Sequence, residues 1–359
     1  PLVRWPVAGA AAVAAADKDP LVASQPCWPA LRDEAAASPA SAAPGSPAAL
    51  RLRARGQRLW KVYSLGGMDG RAVMRSAQRY CFSTEAWEAV APMGSPRVGL
   101  GAASLHGLIY AVGGSDGTRR LRSVERFCPW RGAWEGVAPL SVPRGDVGCA
   151  VLHGMLYAVG GRSHGEPMAT VERFCPRAGT WTPVAPMHIA RYHVRVVALG
   201  GHLYAVGGGE RSRADGRTSA ERYDPQRNAW VMIPALSTIR EGVGVAALDG
   251  CLYAVGGYDG TDKLATAERF RPETGAWEAV PPMSTRRTSH RVAVIGDHLY
   301  ALGGYEGAGE CHVEDARGRL LSVERFCPRK GHWEAVEGMG ADAARPESRW
   351  HCHGAVVVG

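Results

Sequence analysis

The chain has 359 residues, a formal charge of +8 from 42 lysines and arginines against 34 aspartates and glutamates, and 46% hydrophobic residues. That is the composition of a folded globular chain, and its 46 glycines and 24 prolines stay below the roughly 25–30% that marks low-complexity sequence, so they signal turns within a fold. The charge is spread without a basic block or interleaved stacking aromatics, which argues against nucleic-acid binding. The longest apolar stretch, Ala8 to Ala16, falls short of the ~20 residues a membrane-spanning helix needs.

Residues 1–56 are rich in Ala, Pro and Ser without periodicity. The stretch P-A-S-A-A-P-G-S-P-A-A (39–49) reads as a linker that cannot bury a core and is expected to be disordered. Arg4, the apolar run Trp5 to Ala16 and A-A-A before Asp17 form a loose match to a cleavable signal peptide. The chain begins at Pro1 rather than Met, which reads as a piece of a longer product. Nine cysteines (27, 81, 128, 149, 175, 251, 311, 327, 352), an odd number with no C-x-x-C, fit neither a zinc module nor a disulfide framework. Reduced thiols in the cytoplasm, with the nucleus also open, are the expectation.

From residue 57 the chain repeats. A glycine pair recurs six times, at 66/67, 113/114, 160/161, 207/208, 256/257 and 303/304, with spacings of 47, 47, 47, 49 and 47. A tyrosine stands three residues before each pair (Tyr63, Tyr110, Tyr157, Tyr204, Tyr253, Tyr300), and a tryptophan follows it (Trp87, Trp134, Trp181, Trp230, Trp277, Trp333). Between them runs V-E-R-F or a variant, with Glu-Arg in five copies and Gln78-Arg79 in the first. An arginine precedes each later tyrosine by 13 residues: Arg97, Arg144, Arg191, Arg240 and Arg287.

Within one copy, V-G-V-A-A-L, C-L-Y-A-V, A-T-A-E-R-F and A-W-E-A-V (243–280) are short apolar segments bounded by turn residues, which predicts four strands, A to D. No copy contains the 10 to 12 residue amphipathic stretch of a helix. Six such units stacked around an axis make an all-β, six-bladed β-propeller with four antiparallel strands per blade. The predicted blades are 97–139, 144–186, 191–234, 240–282 and 287–338, with the first formed by 57–92 plus 349–359. The first copy starts at strand B, and Arg349 to Gly359 matches a strand A, so the C-terminal strand is expected to close the first blade. The glycine pair is expected at the end of strand B beside the crowded axis, and the repeated Tyr and Trp between blades. The repeated Glu-Arg, which could pass for a catalytic pair, is expected to form a structural network, with the strand-A arginine as the candidate partner.

Doubled glycine, preceding tyrosine and spaced tryptophan over residues 57–359 resemble the Kelch-repeat family. G-G-Y-D-G (256–260), S-A-E-R-Y-D-P (219–225) and S-T-I-R (237–240) are most similar to the propellers of Kelch-like substrate receptors of cullin-RING ubiquitin ligases. Strand C departs from the usual Y-D-P by ending F-C-P at 127–129, 174–176 and 326–328, and the chain carries no BTB or BACK segment. The resemblance implies a protein-interaction module that binds a protein or peptide at the loop mouth, and the receptor likeness implies coupling to a cullin-RING ligase through a segment not in this chain. A ligase-independent or actin-binding Kelch scaffold and a propeller oxidase are the alternatives.

Positions that vary between copies at loop tips are free to carry specificity. The residue after each glycine pair is Met68, Ser115, Arg162, Gly209, Tyr258 and Tyr305; the residue after each strand-A arginine is Val98, Gly145, Tyr192, Glu241, Thr288 and Trp350. Both sets are expected at one end of the ring. In Kelch-like receptors these positions and basic residues of the B to C loop line the pocket, which nominates Arg120, Arg162, Tyr192, Tyr258, Thr288, Tyr305 and Trp350 as the protein-binding set. Arg119, Arg120, Arg162, Arg211 and Arg213 suggest an acidic peptide partner, although Asp116, Glu210, Asp259 and Glu306 share those loops.

No enzyme is expected. There is no P-loop, G-x-S-x-G or H-E-x-x-H, and no cofactor or metal is called for. Alternation would put His351 and His353 on one face of the expected strand, but two ligands are fewer than a metal site uses, and a packed strand is the stronger reading. Cys81, Cys128, Cys175 and Cys327 occupy one equivalent position per blade, which keeps them apart. The insertion Tyr305 to Leu320 adds nine residues to the sixth copy and carries Glu306, Glu310, Glu314 and Asp315, a candidate determinant of partner choice.

Overall fold

Each repeat becomes one antiparallel sheet in the computed structural model, which describes residues 60–68, 72–209, 218–306, 318, 320–340 and 355–358. Blade 1 holds β1 (Lys61–Leu65), β2 (Ala77–Cys81) and β3 (Ala86–Val90); blade 2 holds β4 (Gly101–Leu105), β5 (Leu108–Val112), β6 (Val124–Cys128) and β7 (Ala133–Val137). Blade 3 comprises β8 (Gly148–Leu152), β9 (Met155–Val159), β12 (Val171–Cys175) and β13 (Thr180–Val184), with a loop hairpin β10 (Arg162–Ser163) and β11 (Glu166–Pro167). Blade 4 comprises β14 (Arg195–Leu199), β15 (His202–Val206), β16 (Ala220–Asp224) and β17 (Ala229–Ile233). Blade 5 comprises β18 (Gly244–Leu248), β19 (Cys251–Val255), β20 (Ala267–Arg271) and β21 (Ala276–Val280). Blade 6 comprises β22 (Arg291–Ile295), β23 (His298–Leu302), β24 (Val323–Cys327) and β25 (His332–Ala335), and β26 (Ala355–Val358) follows. All these elements are strands, and every blade has the order A-B-C-D.

β26 lies antiparallel beside β1, pairing Lys61 with Val358 and Ser64 with Ala355, so the first blade is completed by the end of the chain. The boundaries 57–59 and 349–354, and the segment 1–56, lie outside the described residues.

Burial follows the radial order. Strand B of blade 2, L-I-Y-A-V, is buried at every position, whereas strand D of blade 5, A-W-E-A-V, is mostly exposed. The A strands touch one another around the ring, β4 with β8, β8 with β14, β14 with β18, β18 with β22, β22 with β26 and β26 with β4. Strand A therefore lines the axis. This corrects the expectation that the glycine pair abuts the axis: the pair ends the second strand, and what crowds it is the next blade. Gly113 has φ +59°, and a Cβ there would lie 2.4 Å from the Arg144 carbonyl oxygen, while Gly114 N–H donates to that oxygen at 2.7 Å. A side chain would break the contact that ties blade 2 to blade 3.

Six hydrophobic clusters sit between adjacent blades, including the seam between blades 6 and 1. The strand-B tyrosine packs against the strand-C aromatic of the next blade, as Tyr110 does on Phe174 with ring centroids 6.0 Å apart, and Phe174 packs on Trp181 at 5.2 Å. Each tryptophan indole then donates back to the preceding blade, Trp134 to Ala91 O at 2.7 Å and Trp181 to Ala138 O at 2.9 Å. Across the seam Trp87 donates to Met339 O at 3.2 Å.

The network expected of the Glu-Arg repeat forms in five blades. Arg97, Arg144, Arg191, Arg240 and Arg287 are buried and paired with Glu125, Glu172, Glu221, Glu268 and Glu324 of strand C. Each arginine also donates to two backbone carbonyls of its own blade; for Arg144 these are Gly160 O and Thr170 O, both at 2.8 Å.

Three residues past each arginine stands a buried apolar residue, Leu100, Val147, Val194 or Val243, except in blade 6, where it is His290. His290 is fully buried, and neither ring nitrogen has a hydrogen-bond partner among the described residues. Burial first, and then Arg287, Arg195, Arg291 and Arg240 around it, hold its pKa well below the usual histidine value. The folded state thus keeps it neutral while the unfolded chain protonates it near pH 6.5. Its contribution to stability is intact above that pH and is lost as pH falls below it, by about 1.4 kcal/mol per pH unit. His290→Leu, which installs the blade 2 residue, is expected to stabilise by about 1–3 kcal/mol at pH 7, because it removes an unsatisfied buried polar group. It is also expected to flatten the loss of stability between pH 6.5 and 5. Thermal melts across that range check both effects, and an unchanged slope would refute the assignment.

Candidate functional site

The two variable positions meet, because the positive φ of the glycine pair turns the chain out of strand B and onto the segment that leads into strand A. Backbone bridges join Val98 to Ser115, Gly145 to Arg162, Tyr192 to Gly209, Glu241 to Tyr258 and Thr288 to Tyr305. The Glu241 and Tyr258 pair shows the pattern, with N–H to O distances of 2.8 Å in both directions. Every one of these blades thus presents a coupled pair of residues at one end of the ring.

Next to these pairs runs a backbone chain from blade to blade. Asp146 N–H donates to Gly99 O at 2.7 Å, His193 N–H to Asp146 O at 2.9 Å and Ser289 N–H to Gly242 O at 2.8 Å. Asp146, His193 and Ser289 each have φ of 54°, a left-handed conformation that non-glycine residues seldom hold. The interblade bonds fix it there, and with it the side chains above.

One cluster spans blades 2 to 4. The Arg162 guanidinium lies 4.1 Å from the Tyr192 ring centroid, and Asp146 holds it through a 3.3 Å ion pair. The second Asp146 oxygen meets His193 Nε2 at 3.0 Å. Tyr192 lies flat over Gly209, where a Cβ would meet the ring at 2.4 Å. Arg120 reaches across to blade 3, where a Cβ on Gly145 would lie 2.5 Å from its Cδ. The Nε atoms of Arg120 and Arg162 have no hydrogen-bond acceptor among the described residues.

The other cluster spans blades 5 and 6. Lys263 is buried, with its ammonium 4.1 Å from the Tyr258 ring centroid and 5.9 Å from that of Tyr305, a cation held between two aromatic faces. The Tyr258 hydroxyl donates to Gly260 O at 2.8 Å. Thr288 is only 2% exposed, and its hydroxyl donates to Glu241 O at 3.0 Å, so its side chain links two blades beneath the mouth. Tyr305 is 7% exposed. Trp350, Arg211 and Arg213 lie outside the described residues, as do Glu210, Glu310, Glu314, Asp315 and His351 to His353.

The acids of the loops behave differently from the bases. Asp116 accepts from Thr118 Oγ1, Thr118 N–H and Arg119 N–H at 2.7, 2.9 and 2.8 Å, which holds its carboxyl well below the usual aspartate pKa, the Thr118 hydroxyl contributing most. Asp259 is lowered chiefly by the Asp262 N–H, with Thr261 N–H beside it, both at 2.7 Å. Both carboxylates are spent on their own turns. Arg119, by contrast, is exposed and meets only the edge of Asp116 at 3.3 Å. Among the described residues no three His, Cys, Asp or Glu side chains gather as a metal site, and no helix is long and apolar enough to cross a membrane.

Lys263, Asp146 and His193 were absent from the sequence-derived set. A signal for Lys263 was present: it stands five residues after Tyr258, as Arg120 does after Ser115, and both pairs form the same bridge. Asp146 and His193 share the second position after the arginine, which the copies fill with Gly, Asp, His, Gly and Ser.

Five consecutive stretches, 96–141, 143–188, 190–237, 239–284 and 286–340, match the family described as Kelch motif, and together they cover more than half of the chain. The chain belongs to the Kelch-repeat family. The first Kelch blade is missing from the matched stretches because its strands come from opposite ends of the sequence. Among solved structures, that of YjhT is similar with a TM-score of 0.62 and 14% identity, covering 76% of this chain and 97% of that one, a likeness of fold. A comparison with curated protein sequences gives no match. As a Kelch propeller the chain is a protein-interaction module.

Proposed function

We propose that this Kelch propeller recognises an acidic segment of a protein at its loop mouth and serves as the substrate receptor of a cullin-RING ubiquitin ligase. The observation that carries the first half is the pair Arg120 and Arg162. Asp146, Tyr192 and the glycine at 145 hold the two side chains in place, and both stay part-exposed, the Arg162 side chain at 28%. A guanidinium fixed in advance loses little conformational entropy on binding and offers a planar fork that suits a carboxylate. Asp116 and Asp259 are engaged in their turns and do not compete for it. Tyr192 and Tyr258, both part-exposed, add aromatic area of the kind that dominates interface energies, while Tyr305 is buried beneath them. The ligase half rests on the resemblance of the loop motifs to Kelch-like receptors. The reading assigns the chain recognition rather than catalysis, in the cytoplasm.

Affinity capture from cell lysate with the whole chain, beside the triple variant Arg162→Ala, Tyr258→Ala and Tyr305→Ala, tests the site. A partner whose recovery falls at least tenfold with the variant, while the melting temperature stays within a few degrees, supports the mouth. Equal recovery refutes it. If the ligase reading holds, the same partner accumulates when the gene is silenced or when cullin ligases are inhibited. A mouth-dependent partner whose level does not change in either case would make the protein a ligase-independent scaffold.

A further inference from the structure

The outer rim of the ring carries a second irregularity, far along each blade from the mouth residues. Strand D is the outer edge of every blade. In blades 1, 2, 5 and 6 its central residue is a glutamate that accepts from the Nε of the strand-C arginine opposite. The distances are 2.8 Å for Arg79 to Glu88, 2.7 Å for Arg126 to Glu135, 2.7 Å for Arg269 to Glu278 and 2.5 Å for Arg325 to Glu334. In blade 3 Arg173 faces Thr182, and in blade 4 Arg222 faces Val231. The Nε atoms of these two arginines have no acceptor among the described residues. The atom that takes a carboxylate in four blades is thus buried without an acceptor in two neighbouring ones.

The two differ in what guards the edge. Blade 3 has Pro183 in β13, and proline offers no N–H to an added strand. Blade 4 has Met232 at the same register, so β17 (A-W-V-M-I) alone among these outer strands carries neither a charge nor a proline. Val231 and Met232 are 43% and 48% exposed. Among the described residues no strand pairs with the outer side of β17, and an edge with open backbone groups, apolar side chains and no gatekeeper is a template for another strand.

We propose that the outer edge of blade 4 is a docking strand that takes an extended segment of a protein partner as a fifth strand, whose carboxylate pairs with the Arg222 guanidinium. The residue opposite Val231 on the added strand would stand two strand spacings, about 10 Å, from the Arg222 backbone, a span that an arginine and a glutamate side chain bridge together over Val231. Side chains alternate along the added strand, so acidic residues face Arg222 and apolar ones face Met232. The charge decides the occupant. A second copy of β17 brings no carboxylate, so a different protein with an alternating acidic and apolar segment fits and an edge-to-edge homodimer does not.

The probe is a fluorescein-labelled heptapeptide of alternating valine and glutamate, titrated against the whole chain by fluorescence anisotropy. Two variants borrow from sister blades: Val231→Glu supplies the residue of blades 1, 2, 5 and 6, and Met232→Pro supplies that of blade 3. The expected result is saturable binding to the wild type, weakened at least tenfold by either variant and by glutamine in place of glutamate in the peptide. Melting temperatures stay level, amide exchange at 229–233 slows on binding, and the triple mouth variant binds the peptide as the wild type does. Absence of saturable binding, or equal binding by both variants, overturns the proposal. A wild-type dimer in light scattering that Val231→Glu dissociates also overturns it, by assigning the edge to a second copy.

Discussion

Glu268→Ala is expected to lower the unfolding free energy by about 3–5 kcal/mol, the cost of leaving a buried charge without its partner. Arg240 and Glu268 have side chains only 1% and 4% exposed. Arg240 Nε donates to Glu268 Oε1 at 2.8 Å, while Nη1 donates to Gly256 O and Thr266 O at 2.9 and 2.8 Å. The other carboxylate oxygen accepts from Ser237 N–H at 2.9 Å. One glutamate therefore fastens both the loop arriving from blade 4 and the arginine that holds the ends of strands B and C. Burial pulls the Arg240 pKa down and Glu268 pulls it back, and a guanidinium stays charged in either case. Removing the carboxylate leaves that charge buried and Ser237 N–H unsatisfied.

The graded variant sharpens the point. Glu268→Gln keeps one oxygen acceptor but turns the second position into a donor facing another donor, at Ser237 or at Arg240, so a loss of about 1–3 kcal/mol is expected. The pair Arg240→Met with Glu268→Ala should cost clearly less than the two single losses added, since each single variant strands the other's partner. Urea unfolding with a constant m-value reads all of these. If Glu268→Gln left the midpoint unchanged, the network would not be a structural one. Against a total stability of about 5–15 kcal/mol, the alanine variant removes a large share.

The scaffold was legible because each copy reports on the others. The glycine pair, Tyr and Trp recur in six copies and the Glu–Arg partners in five, and each recurrence implies a contact that is made once per blade. What the repeat withholds is which neighbour each position meets. The glycine pair was expected at the axis, yet Gly113 is crowded by the Arg144 carbonyl of the next blade, since ring geometry rather than chain order sets that approach. The loop acids were counted against an acidic partner, but Asp116 and Asp259 spend their carboxylates on backbone and hydroxyl donors two and three residues on. Lys263 shares Arg120's spacing, but its place between Tyr258 and Tyr305 depends on two blades at once. Position alone nominates Thr288, whereas its hydroxyl holds the Glu241 carbonyl. Periodicity identifies equivalent positions, whereas side-chain direction across a blade interface needs the ring.

Deleting residues 349–359 is expected to abolish cooperative folding and drive the protein into aggregates. β26 supplies the strand-A side of β1, in register from Lys61 with Val358 to Ser64 with Ala355. It also touches β22 of blade 6 and β4 of blade 2, so its loss opens the innermost circle at one point. β1 would then expose an edge of sequence K-V-Y-S-L, with Val62, Tyr63 and Leu65 buried in the intact ring, and an uncovered apolar edge pairs with other chains. Trp87 to Met339 O, at 3.2 Å, and the packing of Phe82 on Tyr300, at 6.5 Å, would remain at the seam, but they lie toward the outer strands and leave the axis open. Because neighbouring blades stabilise one another by contact, opening one interface weakens both blades beside it. Light scattering and a thermal melt of the truncated chain decide the matter: a monomer with the melting temperature of the intact protein would show that the ring closes without its last strand.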